Sequence, residues 1–255
     1  MTEETQSPHV QVNTQGQTYL CLHGHFYQPP RENPFTGELP LEAGATPFAN
    51  YNEKITAECY RPNAELGNFE HISYDLGPTL AAWLEQHHPS VYQTIIEADA
   101  RHRAKFRVGN ALAQAYNHTI LPLATSRDKR TQIQWGLEDF RHRYGHEAHG
   151  MWLAETALDM ESLDLMAQAG ITYTVLAPWQ AATPIDTTEP YIVRLPEGRS
   201  MTVFFYNGPL SGAVSFDAQT TDDADRFVTA SLSSQFVTEK IEAGTPQLIV
   251  IATDG

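Results

Sequence analysis

The sequence predicts an α/β protein in which parallel β-strands are joined by crossover helices. Apolar runs of strand length alternate with longer segments whose apolar residues recur at helical spacing, and this alternation is typical of a parallel sheet. The first run, about Thr18 to Leu22, and the last, about Leu248 to Ala252, both lead into polar residues. In α/β barrels the carboxyl ends of the strands carry the functional site, so these polar residues are the first candidates.

The first half of the chain supplies an opening strand, a long connection and three helices. The connection runs from Arg31 to about Leu66 and is rich in proline, glycine and asparagine. Because ordinary connections are much shorter, we expect it to be a functional excursion over one end of the sheet. Helices are predicted to start at Pro78 and at Pro89, since proline suits the first turn. A third should start at Ser126, a residue type favoured as an N-cap.

The second half continues the alternation of helices and strands. A helix is predicted from about Met160 to Ala169, and a strand from Ile171 to Leu176. Two strand-like runs, Tyr191 to Leu195 and Met201 to Tyr206, flank a Pro-Glu-Gly turn and predict a hairpin. A long helix is predicted from about Ala224 to Ala243, just before the last strand.

Composition and charge indicate a globular protein with a neutral substrate. Of the 255 residues, 41% are hydrophobic and 10% aromatic, and the formal net charge is −15. These fractions are ordinary for a folded domain. Nucleic acids and anionic membranes both attract Lys and Arg, so neither is expected as a partner of so acidic a chain. No stretch approaches the ~20 apolar residues that span a bilayer.

The ends of the chain and its cysteines bear on domain organisation and location. Residues 1–17 are polar and acidic, without the basic start and apolar core of a secretory signal, and we expect a flexible leader there. Residues 18–255 are expected to form one barrel that is truncated at its C-terminus, because the chain stops one residue beyond Asp254, at the kind of strand end where α/β barrels carry their sites. Cys21 and Cys59 do not form a CxxC pair, which favours a reduced, cytoplasmic setting.

Two acidic residues, Glu155 and Asp254, follow apolar runs that are far apart in the sequence. Glu155 ends the run GMWLAE, and Asp254 ends the run LIVIATD. Retaining cleavage of a glycosidic bond needs two facing carboxyl groups, one as nucleophile and one as acid/base. Each acid alone is equally well explained as the N-cap of a following helix. Only the pair, placed at two strand ends, indicates a glycosidase.

Four segments, in order along the chain, resemble the motifs of glycoside hydrolase family 57. They are residues 23–30 (HGHFYQPP), 109–123 (GNALAQAYNHTILPL), 150–155 (GMWLAE) and 253–255 (TDG). The resemblance is to the subgroup in which a further domain of unknown function follows the barrel. It implies an incomplete (β/α)7 barrel with long βα loops, retention of configuration, α-glucan or maltooligosaccharide substrates, and no metal or other cofactor. It also implies that Glu155 is the nucleophile and Asp254 the acid/base.

Four polar residues in these motifs are candidates for binding sugar hydroxyls. His23 and His25 alternate at a strand end, and side chains two apart on a strand share a face, so both are expected to point into the pocket. Gln28 and His118 are candidates for the same role. The alternatives are structural contacts with loops for the three histidines, and metal ligation by the two strand histidines, since His is a common ligand.

The aromatic candidates are Trp152, three residues before Glu155, and Trp179, which follows a strand. Either could stack on the apolar face of a sugar, and core packing is an equal alternative for Trp152. Three departures from the family pattern are visible, and one of them is that the fourth motif is cut off and any later motif is absent. Phe26-Tyr27 are inserted in the first motif, and Ala113-Gln114 stand where many members have an acid. These departures bear on the substrate subclass more than on the chemistry.

Three function classes remain open at this point. The first is an α-glucan-active retaining enzyme, whether hydrolase, glucanotransferase or branching enzyme. The second is a metal-dependent deacetylase or mannosidase-like barrel with His23, His25 and an Asp as ligands, although the first motif itself contains no acid. The third is a carbohydrate-binding protein without activity, and the presence of Glu155 and Asp254 argues against it. Nothing in the sequence indicates an oligomeric state.

Overall fold

The computed structural model describes residues 16–254; Gly255 and most of the expected leader lie outside this part of the chain. The strands are β1 (Thr18–Phe26), β2 (Ser73–Leu76), β3 (Ala111–Gln114), β4 (Met151–Trp152), β5 (Tyr173–Leu176), β6 (Tyr191–Arg194), β7 (Ser200–Phe205) and β8 (Gln247–Asp254). The α-helices are α1 (Tyr51–Ile55), α2 (Arg61–Glu65), α3 (Pro78–His87), α4 (Pro89–Phe106), α5 (Ser126–Tyr144), α6 (Met160–Gln168), α7 (Gly208–Phe216), α8 (Ala224–Arg226) and α9 (Thr238–Glu242). No helix within residues 16–254 is long and apolar enough to cross a membrane.

The strands form an incomplete barrel, as predicted. A five-stranded parallel sheet has the order β4-β3-β2-β1-β8, and a second sheet has the order β5-β7-β6. A parallel bridge between Gly150 and Tyr173 links the two sheets at β4 and β5. On the other side, the N–H of Asn207, just after β7, donates to the carbonyl of Val250 on β8 at 2.7 Å. Strand β6 pairs antiparallel with β7, which confirms the predicted hairpin.

Alternation along the strands separates an inner face from an outer one. Cys21 and Val250 are partners in the β1–β8 register, and both pack in an interior cluster with Trp152. Ile249 and Ile251 point the other way and pack under α7. Because side chains alternate with period two, the last inward positions of β1 and β8 place polar residues at the mouth of the barrel.

Prolines and short polar side chains determine where the helices begin. Pro78 and Pro89 occupy the first turns of α3 and α4, as predicted. The N-cap of α5 is Thr125, whose hydroxyl accepts a hydrogen bond from the N–H of Asp128, so the choice of Ser126 as cap is wrong by one residue. An N-cap keeps an extended backbone, and Thr125 has it, with φ −69° and ψ 155°.

The long connection after β1 is an ordered excursion. It contains α1 and α2, joined by a π-helical turn at Thr56–Tyr60. Arg31 holds its start in place, because its guanidinium donates to Gln28 Oε1 at 2.7 Å, to Asn52 Oδ1 at 3.0 Å and to Glu42 Oε1 at 2.6 Å. These bonds tie the excursion to the first motif, and its functional role stays a prediction.

The segment from Ala224 to Ala243 is not one helix, so that prediction is wrong. After α8 it continues as a π-helical turn at Phe227–Leu232, tightens into a 3-10 turn, and is extended at Val237 before α9 begins. The side-chain amide of Gln247, on β8, bonds both the N–H and the C=O of Val237, at 2.8 and 3.0 Å. These bonds to a distant strand replace the intrahelical ones and interrupt the helix.

Candidate active site

A cavity of about 310 Å³ opens at the carboxyl ends of the barrel strands. The ends of β1, β4, β7 and β8, the turn after β5 and one face of α7 supply its walls. Five of the eight residues singled out from the sequence line it, namely His25, Trp152, Glu155, Trp179 and Asp254. The structure therefore brings together strand ends that are about a hundred residues apart in the chain.

Glu155 lies in a tight turn immediately after the short strand β4. Ala154–Thr156 form a 3-10 turn in which the backbone of Glu155 is left-handed, with φ 56° and ψ 21°. Thr156 is also left-handed, with φ 52°. The Glu155 side chain is exposed while Thr156 is buried, so the turn presents the carboxylate to the cavity.

Asp254 is the last residue of β8, and the strand register puts it beside β1. His25 on β1 pairs with Asp254 on one side and with Asp75 of β2 on the other. Partners in a parallel register face the same way, so all three side chains point inward. The helix α7 is fastened to β8 by the Ser211 hydroxyl, which accepts from the N–H of Ala252 at 3.1 Å.

A buried carboxylate, Asp75, holds the two histidines of β1. Asp75 is 0% exposed; its Oδ1 lies 3.1 Å from His23 Nε2 and its Oδ2 lies 2.8 Å from His25 Nδ1. An ionised carboxylate can only accept hydrogen bonds, so both imidazoles donate to it. The other nitrogen of His23 lies 3.1 Å from the Ser73 hydroxyl. His23 is thus buried beneath the cavity, with both ring nitrogens bonded to protein.

His25 and His118 form a second pair at the edge of the cavity, with their Nε2 atoms 2.9 Å apart. Burial lowers the pKa of His25, but the carboxylates of Asp75, Asp254 and Glu155 outweigh it and hold that pKa above 6.5. Burial and the charge of His25 lower the pKa of His118 to about 4. His118 is therefore neutral near neutral pH, and the contact between the two Nε2 atoms is a hydrogen bond between imidazoles.

The remaining candidates occupy different places around the cavity. Gln28 is buried outside it, where its amide donates to the Tyr60 hydroxyl at 3.2 Å. Trp152 is buried in the wall and stacks on His23, with ring centroids 4.7 Å apart. Trp179 is 72% exposed at the rim and meets Tyr206 edge to face. Of the two tryptophans, only Trp179 offers most of its surface to a bound molecule.

Comparison with known proteins identifies the family. The sequence profile of glycosyl hydrolase family 57 matches residues 22–255.

The chain belongs to glycosyl hydrolase family 57.

Individual relatives of this family-57 chain are distant. It is 27% identical to alpha-amylase 1 of Dictyoglomus thermophilum over 158 residues, which is 62% of the chain and 21% of that protein. The 4-alpha-glucanotransferase of Thermococcus litoralis shares the fold with a TM-score of 0.63 and 19% identity, over 94% of this chain and 34% of that one. A protein described as a polysaccharide deacetylase from Mycobacterium smegmatis also shares it, with a TM-score of 0.59 and 13% identity, over 98% and 80% of the two chains. The chain thus spans about a fifth of the curated relative and about a third of the glucanotransferase.

Two parts of the candidate site were not found from the sequence. Asp75 was missed although it is a lone acid in a short strand that ends at Gly77-Pro78, and it is the acid that the first motif lacks. The second part is the wall built by α7, whose Gly208, Ser211, Gly212 and Ser215 line the cavity. In the sequence, only the polar turn after β7 indicated that this segment could form part of the cavity wall.

Proposed function

We propose that this chain is the catalytic barrel of a retaining glycoside hydrolase or transglycosylase that acts on α-glucans such as maltooligosaccharides. In this proposal Glu155 is the nucleophile and Asp254 the acid/base. The observation that carries it is that these two acids, at the ends of separate strands, line one cavity in a chain of glycosyl hydrolase family 57.

The proposed reaction has two steps. Glu155 attacks the anomeric carbon while Asp254 gives a proton to the glycosidic oxygen, so the leaving sugar departs and a glycosyl-enzyme forms. Asp254, now a base, takes a proton from water or from a sugar hydroxyl, which attacks the anomeric carbon and releases Glu155. Two inversions at one carbon give net retention. Water yields hydrolysis, and a sugar hydroxyl yields transfer or branching.

The surroundings of the two acids suit a neutral polyhydroxylated substrate. Trp179 and Phe216, 72% and 91% exposed, stand at the rim of the cavity, and aromatic faces pack well on the apolar faces of sugars. The Ser211 and Ser215 side chains line the α7 wall. His25 has both nitrogens committed to protein partners, so we assign it an electrostatic role beside the acids rather than a hydroxyl contact.

A metal-dependent deacetylase is the competing candidate, because Asp75 supplies the acid beside the histidine pair. Both Asp75 oxygens, however, already accept from histidines, and among residues 16–254 no group of three or more His, Cys, Asp or Glu side chains is arranged so that it could hold a metal ion. Neither nucleic acid nor a membrane is proposed as a partner. The cysteines Cys21 and Cys59 are free, in keeping with the proposed cytoplasmic location.

The test is to follow maltooligosaccharide products by proton NMR. The α-anomer should appear first and then mutarotate, and the product pattern should separate hydrolysis, chain transfer and branching. Glu155→Gln should abolish every activity. Glu197→Gln is a matched control, since Glu197 lies in a similar left-handed 3-10 turn with φ 56° but on a remote hairpin, and it should keep full activity. First appearance of the β-anomer, or an active Glu155→Gln variant, would contradict the proposal.

A further inference from the structure

We propose that Gln180 is a positioning residue that holds the strained turn carrying Glu155, and that it couples sugar stacking on Trp179 to the placement of the nucleophile. The inference rests on the proposed function for its catalytic consequence. Its structural basis is the pair of loops that follow β4 and β5.

The turn after β4 carries unusual backbone strain. Glu155 and Thr156 are consecutive non-glycine residues with φ of 56° and 52°. A left-handed conformation is unfavourable for a non-glycine residue, and a β-branched residue such as Thr156 is a genuine outlier there. In the comparable turn at Glu197, the second left-handed residue is Gly198, with φ 76°, and glycine adopts this conformation without penalty.

Strain of this kind persists only where surrounding contacts over-determine the conformation. Two backbone bonds close the turn, from Thr156 N–H to the Leu153 carbonyl at 2.9 Å and from Ala157 N–H to the Ala154 carbonyl at 3.0 Å. From outside the turn, the Gln180 amide donates to the Thr156 hydroxyl at 3.2 Å. Thr156 is 6% exposed, so little water competes for its hydroxyl.

Gln180 can act as a clamp because its own loop is well anchored. It closes the 3-10 turn Pro178–Gln180, where its N–H donates to the carbonyl of the fully buried Ala177 at 3.0 Å. Trp179, the exposed rim aromatic, is the middle residue of that turn. Its neighbour Gln180 bonds Thr156 in the turn of Glu155. A sugar that stacks on Trp179 therefore steadies the 3-10 turn that carries Gln180. Occupation of the rim should favour the productive position of the carboxylate.

The experiment compares Gln180→Ala with Thr156→Val, which removes the same hydrogen bond from its other end. Because a neutral hydrogen bond of this kind is worth roughly a two- to tenfold effect, each variant should lower kcat by that factor and leave KM for a short aryl α-maltoside unchanged. The double variant should be no worse than the poorer single variant, since both changes break one interaction. Thr156→Ser keeps the hydroxyl and should retain wild-type kcat.

Two measurements test the coupling: the dependence of kcat on the length of the substrate chain, and the rate of amide hydrogen exchange in the turn of Glu155. In the wild type, kcat should rise once the substrate is long enough to reach Trp179, and this rise should vanish in Gln180→Ala and in Trp179→Ala. Exchange at the Thr156 and Ala157 amides should be severalfold faster in Gln180→Ala. Gln93→Ala, which removes a surface amide on α4 bonded to Glu97, should alter neither measurement.

Two outcomes would overturn the clamp. One is a Gln180→Ala variant with wild-type kcat and wild-type amide exchange. The other is a double variant in which the effects of Gln180→Ala and Thr156→Val on kcat are additive. If Glu155→Gln is fully active, the proposed function fails instead, and the exchange experiment alone then decides whether the clamp exists. Circular dichroism of each variant identifies any loss of folding. If Gln180→Ala does not fold, Thr156→Val, which removes the same hydrogen bond from the other side, provides the comparison, with Thr156→Ser as its control.

Discussion

The buried carboxylate Asp75 offers a sharp test of how the histidine cluster works. Asp75→Asn keeps the shape of the side chain but removes its charge and turns one acceptor into a donor. Of the two histidine N–H groups that now donate to Asp75, at 2.8 and 3.1 Å, one would then face an NH2 group. Leaving a buried charged pair without one partner costs about 3–5 kcal/mol, so we expect a loss of that size in the free energy of unfolding at pH 6.

The pH dependence of this loss follows from the pKa shifts. Burial raises the pKa of Asp75, but His25 and the hydrogen bonds from both histidines outweigh it and hold that pKa below 3.8. The contribution of ionised Asp75 to the free energy of unfolding is therefore present above pH 3.8 and is lost as pH falls through the lowered pKa. The pKa of His25 is raised above 6.5, so its contribution is complete below pH 6.5 and is lost as pH rises through the raised value.

The assay is urea unfolding of wild type and Asp75→Asn between pH 4 and pH 9, followed by tryptophan fluorescence. The difference in stability should be largest between pH 3.8 and 6.5 and should shrink at higher pH. Asp99→Asn is the matched control. Asp99 is equally buried, with His146 Nε2 at 2.8 Å, but it lies away from the cavity, so this variant should lose stability and keep kcat/KM. A difference between wild type and Asp75→Asn that is small, or constant over this pH range, would refute a charged Asp75–His25 pair.

Three further predictions concern packing, capping and metal. Gly136→Ala should lower the free energy of unfolding by about 1–3 kcal/mol, because its Cβ would lie 2.0 Å from the carbonyl oxygen of Gln114. Gly212→Ala should leave the free energy of unfolding unchanged, since a Cβ there meets nothing within 4 Å. Urea titration of the two variants compares them. Thr125→Ala should lower the free energy of unfolding by about 1 kcal/mol, because it removes the N-cap of α5. A larger loss of stability in Ser126→Ala would show that Ser126 is the cap, as the sequence predicted. Elemental analysis of protein purified without a His-tag should show no stoichiometric zinc, whereas activity abolished by a chelator and restored by zinc would favour the deacetylase.

Local sequence pattern was sufficient where a feature depends on neighbouring residues. The places of Glu155, in the turn after β4, and of Asp254, at the end of β8, follow from apolar runs closed by an acid. The hairpin at β6 and β7 follows from two runs around a short turn. The starts of α3 and α4 follow from proline chemistry, which acts within a single turn.

Features that depend on contacts distant in sequence could not be predicted in this way. Asp75 matters because β2 pairs in register with β1, and no local pattern contains that register. The break before α9 comes from Gln247, which lies ten residues further along the chain, on β8. His23 was expected at the cavity wall from strand alternation; the structure places it one inward position below, where Asp75 and Ser73 take both of its nitrogens.

The roles of the two acids are tested most directly by azide rescue with an activated aryl α-maltooligosaccharide. In Asp254→Ala the glycosyl-enzyme can still form, because the aryl group leaves without a proton, but water then attacks slowly for want of a base. Azide needs no base, so it should restore turnover and give a glycosyl azide of retained configuration. In Glu155→Ala azide can only take the place of the nucleophile, and the azide product should be inverted. Opposite stereochemistry in the two variants would exchange the roles, and full activity of both without azide would place the catalytic site elsewhere.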